Sequence, residues 1–158
     1  MENEPEAVST ETQLTVRSTD MDADRNVNNA AYFTYFEQSR LEHLLRLGVI
    51  RWPPGPADRS QFALAETSAR FRAPAYHRDV LTIRTRTIEV RQRSFSLGYQ
   101  VLREKDSALI CEGSSAQVWL DEQGRAAGLP ETVRAALVAS MGHVDLVSSQ
   151  PAGDATSG

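Results

Sequence analysis

The sequence predicts an α+β fold in which an antiparallel, curved sheet of about five strands wraps around one long central helix, with a short C-terminal helix after it. Two observations favour this class. A single long helical pattern lies near the N-terminus, and a series of strand patterns joined by tight turns follows it. Consecutive hairpins give antiparallel neighbours, and one long helix buries its apolar face most simply against the concave side of a curved sheet.

The first strand and the long helix are assigned from their hydrophobic periodicity. Residues 12–18 alternate between polar and apolar side chains, which predicts a strand. Residues 30–47 place apolar side chains near one helical face. Asn28 or Asn29 is suited to the N-cap, and Gly48 to the C-terminal stop. The members of the apolar face are Phe33, Phe36, Leu41, Leu44, Leu45 and Leu47.

Four more strands are expected after a proline-rich loop. They span residues 61–72, 79–90, 94–103 and 108–120. In the second of these the apolar pairs Leu81/Ile83 and Ile88/Val90 are out of phase, which predicts a bulge or a change of register. In the third, apolar side chains alternate regularly with polar ones. Pro130 then begins a short final helix over residues 131–139.

The length and composition indicate one globular domain. The chain has 158 residues, of which 41% are hydrophobic and 24% charged, as is usual for a protein with a substantial core. We expect the domain to cover residues 12–142. The two ends, residues 1–11 and 148–158, are polar and are expected to be disordered tails.

Charge and sequence patterns argue against several functional classes. The net charge of −4 disfavours broad nucleic-acid binding. No stretch approaches the roughly 18 apolar residues of a membrane span, and the acidic start resembles no targeting signal. The only cysteine, Cys111, lies in a strand pattern and is expected in the core. We therefore expect a cytoplasmic protein without membrane or nucleic-acid partners.

The loop between the first strand and the long helix is rich in acids. Residues 20–29 include three aspartates and three asparagines. A calcium loop of the EF-hand type needs glycine at its sixth position and glutamate at its twelfth, and here those positions are Arg25 and Ala31. The three histidines also lack metal-ligand spacing. Neither a metal nor a cofactor is expected, and the acids could simply cap the helix in solvent.

The same loop resembles the active-site segment of hotdog-fold acyl-CoA thioesterases of the 4-hydroxybenzoyl-CoA thioesterase type. Their loop reads roughly Asp-x-Asp-x-x-Gly-His-Val-Asn-Asn-x-x-Tyr, and residues 20–32 here read Asp-Met-Asp-Ala-Asp-Arg-Asn-Val-Asn-Asn-Ala-Ala-Tyr. Segments 71–76, 79–83 and 91–95 follow in the order typical of the family. The resemblance covers about residues 12–140 and implies the hotdog fold.

The resemblance also implies roles for residues of this loop. Asp22 stands at the position of the catalytic carboxylate, which acts as nucleophile or as general base on water. Backbone amides around Val27 to Asn29 would hold the thioester oxygen at the start of the helix. The side chains of Asn28 and Asn29 would orient the loop or the water, or would only cap the helix. Tyr32 would line the acyl pocket or belong to the core.

Further residues are candidates for binding the rest of the substrate. Arg91 and Arg93 stand at a turn where related enzymes contact the phosphates of coenzyme A, and arginine binds phosphate well. A solvated turn is the plainer interpretation. Glu37 is a second candidate for the catalytic carboxylate. It lies close to the apolar helix face, where a subunit contact could bury part of it. Its structural alternative is an ion pair with Arg40 one turn later.

One departure from the family pattern concerns the loop. The usual Gly-His is Arg25-Asn26 here, and arginine is ill suited to the positive φ that glycine allows. The sequence therefore leaves three functions open: an acyl-CoA thioesterase, a thioesterase for acyl-carrier-protein thioesters, and a non-catalytic acyl-CoA-binding or other ligand-binding protein.

Exposed sheet edges and the resemblance both favour a homodimer or a tetramer, with active sites at the subunit interface.

Overall fold

The structure is a computed structural model that describes residues 6–55 and 61–142. It confirms the predicted α+β class. The strands are β1 (Thr10–Thr15), β2 (Phe62–Phe71), β3 (Val80–Val90), β4 (Ser94–Arg103) and β5 (Leu109–Trp119), and the helices are α1 (Asn29–Arg46) and α2 (Glu131–Ser140). The strands form one sheet in the order β1-β3-β4-β5-β2, and every neighbouring pair is antiparallel.

Most predicted boundaries are close to the observed ones, and the N-terminal strand differs most. It begins at Thr10 and ends at Thr15. Thr10 and Glu11 therefore belong to the sheet rather than to a tail. A short 3₁₀ turn at Ser18–Asp20 replaces the end of the predicted strand. The predicted C-terminal tail and residues 1–5 lie outside the described residues, so the domain limits stay a prediction.

Helix α1 packs against the concave face of the sheet. The inward side chains of β4, namely Phe95, Leu97, Tyr99 and Val101, are all buried as their alternation predicts. The ring of Phe36 stacks on Tyr99 with centroids 4.5 Å apart. A Cβ placed on Gly113 would lie 2.6 Å from Phe36 Cε2. The helix can therefore approach the sheet this closely only because residue 113 is glycine.

The buried side of α1 is more polar than the hydrophobic pattern predicts. Phe33 and Leu41, which were expected on it, are 37% and 39% exposed. Ser39, Arg40 and His43 are buried instead. The strands offer polar partners to Arg40 and His43, whereas Ser39 Oγ has no hydrogen-bond partner within the described residues. His43 lies between the hydroxyls of two threonines, and Arg40 donates to the hydroxyl of a tyrosine.

Strands β3 and β2 depart from a regular, fully paired sheet. The register of the β3–β4 pair shifts between Thr87 and Glu89, which confirms the predicted irregularity. Strand β2 forms one edge of the sheet, and most of its side chains are exposed on both faces. In the described part of the chain, no helix is long and apolar enough to cross a membrane.

Candidate active site

The loop between β1 and α1 folds around the carboxylate of Asp22. Its Oδ1 accepts the backbone N–H of Asp24 at 2.9 Å and that of Asn26 at 3.2 Å. The Asp22 N–H donates to the Asn26 carbonyl at 2.9 Å. Among residues 6–55 and 61–142, Asp22 Oδ2 has no hydrogen-bond partner, and the side chain is exposed. One oxygen is thus held in place while the other is open to a water or a substrate.

Arg25 occupies the left-handed region of backbone space in this loop, with φ of +63°. It stands where the family pattern has glycine. The loop therefore keeps the backbone turn that glycine would allow, although an arginine there costs about 1 kcal/mol relative to glycine. The departure at Arg25-Asn26 changes the residue type, and the chain still closes the loop around Asp22.

Asp20 connects the loop to Arg17 and to Tyr35 of α1 by hydrogen bonds. Its carboxylate is 6% exposed and accepts the Tyr35 hydroxyl at 2.9 Å, the Arg17 N–H at 3.0 Å and Arg17 Nη2 at 3.0 Å. Burial by itself would raise the pKa of Asp20, but the hydrogen bonds from Arg17 and Tyr35 outweigh it and the pKa is lowered. Burial and the Asp20 charge both raise the pKa of Tyr35, which keeps its proton.

The backbone amides at the start of α1, where the oxyanion site is predicted, are not equally available. The Val27 N–H donates to the Ala75 carbonyl at 2.9 Å, and the Asn28 N–H donates to the Asp20 carbonyl at 2.8 Å. Both are occupied within the loop. Within the described ranges, the Asn29 N–H has no acceptor. It is therefore the amide that can donate to a substrate oxygen.

The two asparagines have different positions and contacts at the start of α1. Asn28 is the N-cap of α1, and its Oδ1 accepts the Ala30 N–H at 2.9 Å. This is the capping role that the sequence allowed. The Asn29 side chain is exposed at the first position of the helix, beside the Asn29 N–H. This side chain is therefore not used for capping and is open to solvent.

Tyr32 lies in the core rather than on an open surface. Its side chain is 3% exposed, and its ring contacts those of Tyr35 and Phe71 with centroids 5.6 and 5.5 Å away. Burial raises the pKa of Tyr32 to about 12. In the single chain this residue supports the loop from behind, and substrate contact by its hydroxyl stays a prediction.

Glu37 and Arg40 do not form the expected ion pair. Glu37 is exposed on the outer side of α1, whereas Arg40 turns inward and is 7% exposed. The Arg40 guanidinium donates to the Tyr99 hydroxyl at 3.4 Å. Arg40 reaches the sheet while Glu37 stays in solvent, so Glu37 is neither paired with Arg40 nor buried in the single chain.

Arg91 and Arg93 lie far from Asp22 in the same chain. They form the turn between β3 and β4, and Arg91 Nε is 2.6 Å from Glu89 Oε1. The Asp22 loop is attached through Val27 to Ala75, near the other end of β3. That strand has 11 residues, so its ends are roughly 35 Å apart at about 3.3 Å per residue. One chain therefore does not bring the arginines and Asp22 together.

Comparisons with known proteins place this loop in a family context. The family model of the thioesterase-like superfamily matches residues 16–137. The chain belongs to the thioesterase-like superfamily. It is 25% identical over 111 residues to the long-chain acyl-CoA thioesterase FadM of Escherichia coli strain K12, which covers 70% of this chain and 83% of FadM.

Two other proteins extend the comparison. The chain is 25% identical over 137 residues to the chloroplastic acyl-acyl carrier protein thioesterase ATL3 of Arabidopsis thaliana, covering 87% of this chain and 72% of ATL3. A 4-hydroxybenzoyl CoA thioesterase mutant complexed with 4-hydroxybenzoyl CoA superposes with a TM-score of 0.73 at 22% identity, covering 82% and 98% of the two chains. The predicted hotdog fold and the predicted enzyme class, a thioester hydrolase, are confirmed.

Sequence reasoning missed the part of this thioesterase that supports Asp22. Tyr35 and Asp20 are 15 residues apart and meet only after α1 has packed. The carbonyl of Ala75, which occupies the Val27 amide, has no sequence signal at all. Across the described ranges, no group of three or more His, Cys, Asp or Glu residues is arranged to hold a metal ion.

Proposed function

We propose that this thioesterase hydrolyses acyl-CoA thioesters to a free acid and coenzyme A, with Asp22 as the catalytic carboxylate. The observation that supports it is the pairing of two open groups in one loop. Asp22 presents one unpartnered carboxylate oxygen, and the first residue of α1, Asn29, presents an N–H without an acceptor among the described residues. A thioester needs both a nucleophile or base and an oxyanion donor.

The chemistry follows from these two groups. The thioester carbonyl oxygen would accept the Asn29 N–H at the positive end of an 18-residue helix. Asp22 would take a proton from water as the water attacks the carbonyl carbon, or would attack that carbon itself. In the first route the carbon–sulfur bond then breaks, and the thiolate of coenzyme A leaves with the proton that Asp22 took from water. In the second route the thiolate takes a proton from solvent and leaves a mixed anhydride on Asp22, which water would hydrolyse to the free acid and the regenerated carboxylate. Neither route requires a cofactor.

Assembly would complete the coenzyme A site. Strand β2 is a ten-residue exposed edge whose end at Phe71 lies near the Asp22 loop, while its start at Phe62 pairs with Trp119 near the Arg91–Arg93 turn. If two copies pair their β2 edges antiparallel about a twofold axis, each Asp22 loop faces the turn end of the other copy. We propose such a homodimer, alone or as half of a tetramer, with Arg91 and Arg93 holding the phosphates.

A carrier-protein thioester is the second candidate substrate. The similarity to the Arabidopsis acyl-acyl carrier protein thioesterase extends over 87% of this chain. In that case Arg91 and Arg93 would contact an acidic protein rather than a nucleotide. A non-catalytic ligand-binding role, suggested by Arg25-Asn26, is less well supported because the loop still closes around Asp22.

The test is a panel of acyl-CoA, acyl-carrier-protein and acyl-pantetheine thioesters with a thiol-trapping assay. We expect Asp22→Asn to lower kcat by a factor of about 10² to 10⁴ on the preferred thioester while circular dichroism is unchanged. Asp24→Asn is the matched control, because that exposed acid lies two residues away and its carboxylate has no hydrogen-bond partner in the described ranges. Full activity of Asp22→Asn would contradict the assignment of Asp22.

A further inference from the structure

The convex face of the sheet, which points away from α1, carries a trough that the proposed reaction does not use. The strand register aligns Arg86 with Gly98, Gly98 with Ser114 and Ser114 with Ser68, so that one row crosses β3, β4, β5 and β2. Three of the four residues in this row have a short side chain or none. Longer side chains in the neighbouring rows enclose a groove of about 580 Å³.

The floor of the trough is polar and open to close approach. The hydroxyls of Ser68 and Ser114 are 3.1 Å apart and hydrogen-bonded. A Cβ on Gly98 would lie 3.0 Å from Ile88 Cγ2 and 3.9 Å from Arg86 Cγ. These two side chains therefore lean over the glycine and form one wall of the trough.

Three arginines line the trough although the whole chain is acidic. They are Arg70, Arg84 and Arg86. Arg84 Nε is 3.0 Å from a carboxylate oxygen of Glu11, and Glu112, which also lines the groove, forms an ion pair with Arg72. In the part of the chain that the structure describes, neither Arg70 nor Arg86 forms an ion pair, although Arg70 lies directly opposite Glu112 and adds to the lowering of its pKa that Arg72 mainly causes. Two guanidinium groups therefore remain available to an anion.

The spacing of the strands suits convergence of these two arginines. Arg86 is on β3 and Arg70 on β2, three strand intervals away and two residues beyond Ser68, which is the β2 residue aligned with Arg86; their Cα atoms are therefore roughly 16 Å apart at about 4.8 Å per interval and about 3.3 Å per residue. An extended arginine side chain covers about half of that distance. The two guanidinium groups can therefore reach an anion above the serine floor from opposite sides.

We propose that this trough binds the phosphate group of a phosphorylated small molecule. Guanidinium groups match phosphate oxygens in paired hydrogen bonds, and the serine hydroxyls can donate to the oxygens that remain. The phosphate belongs either to coenzyme A or to a separate phosphorylated metabolite, since the recognition chemistry is the same. The site is distinct from the Arg91–Arg93 turn, which lies beyond the end of β3.

The test is titration calorimetry of the full-length protein with inorganic pyrophosphate, a measurement that does not depend on turnover. We expect Arg70→Gln with Arg86→Gln to weaken binding at least tenfold. The matched control, Arg78→Gln with Arg125→Gln, removes the same charge from exposed positions outside both the trough and the Arg91–Arg93 turn, and should change the affinity less than twofold. Ser114→Gln keeps every charge and fills the floor, so it should weaken binding as well.

The outcomes separate the possible occupants. If coenzyme A displaces pyrophosphate and the Arg70/Arg86 variant raises KM for acyl-CoA, the phosphate is that of coenzyme A. If pyrophosphate binds and KM is unchanged, the ligand is a separate metabolite. The proposal is overturned if the wild-type protein binds no pyrophosphate at millimolar concentration, or if the control loses as much affinity. Dissociation of an oligomer by Arg70→Gln/Arg86→Gln without phosphate binding would instead identify this face as a contact between copies.

Discussion

Two aspartates in one short motif have opposite environments and different roles. Asp22 is exposed and keeps one oxygen open, whereas Asp20 is buried and uses both oxygens to hold Arg17 and Tyr35. The Asp20 carbonyl also occupies the amide of Asn28. Asp20 therefore fixes the position of Asn29 relative to Asp22, and the proposed chemistry depends on that geometry.

Removal of the Tyr35 hydroxyl tests this support. We expect Tyr35→Phe to lower the free energy of unfolding by about 1 kcal/mol, because Asp20 loses one buried hydrogen bond. We also expect kcat to fall roughly tenfold with KM nearly unchanged, because the loop loosens without losing a substrate contact. Thermal unfolding and steady-state kinetics measure the two effects.

Tyr76→Phe, at a 45% exposed tyrosine, is the control for loss of a tyrosine hydroxyl. Reduced stability with an unchanged kcat would show that Asp20 and Tyr35 support only the fold.

The sequence could predict part of this loop and not the rest. The resemblance to the family motif assigned the catalytic role to Asp22, which stays a prediction, and residue preference predicted an asparagine cap, which Asn28 provides. The hydrogen bonds that occupy the amides of Val27 and Asn28 could not be predicted from the sequence, because their acceptors are backbone carbonyls. Any residue type supplies such a carbonyl, so only the folded chain reveals which amide is left open.

At the scale of elements, periodicity predicted strands better than helix faces. Strand β4 has the predicted bounds, because its inward positions are all apolar or aromatic. The buried face of α1 was predicted too far toward Phe33 and Leu41. Hydrophobic periodicity carries no information about polar contacts between the helix and the sheet. His43 shows this directly. Its Nδ1 lies 2.7 Å from Thr10 Oγ1, and its Nε2 lies 3.0 Å from Thr87 Oγ1.

The buried His43 predicts an acid-sensitive fold. Burial, followed by the nearby charge of Arg46, lowers the pKa of His43 to about 4, below its ordinary 6.5. Between these values the unfolded chain binds a proton that the folded chain does not, so stability falls as the pH falls. We expect a loss of about 2 kcal/mol from this residue between pH 7 and pH 5.

Chemical denaturation at several pH values measures this dependence. His43→Gln should be less stable at pH 7 and should lose less stability on acidification than the wild-type protein. His77→Gln is the matched control, because His77 is exposed and its removal should leave the wild-type slope in place. Equal slopes for the wild-type protein and His43→Gln would show that carboxylates, rather than His43, govern the acid response.

At the scale of the whole molecule, the fold could be predicted from the sequence, whereas the arrangement of the candidate site could not. Motif order placed Asp22 and the Arg91–Arg93 turn in one family pattern, but the strand topology puts them at opposite ends of the sheet. A sequence pattern does not state which chain contributes each residue to a site. The exposed edge of β2 offers the physical means of joining the two ends across a twofold axis.

Hybrid dimers decide whether two chains share the site. One chain would carry Asp22→Asn and the other Arg91→Ala with Arg93→Ala, with different affinity tags so that the heterodimer can be isolated. If the site combines Asp22 of one chain with the arginines of its partner, one of the two sites in the heterodimer is fully wild type. Its kcat/KM on acyl-CoA should then be about half that of the wild-type dimer, and far above either parent homodimer. If each site lies within one chain, both sites carry a defect, so the activity cannot exceed the mean of the two parents.

A short acyl-pantetheine thioester, which lacks the nucleotide phosphates, is the control substrate. On it the arginine variant should be nearly as active as the wild type, because the arginines would bind only the phosphates.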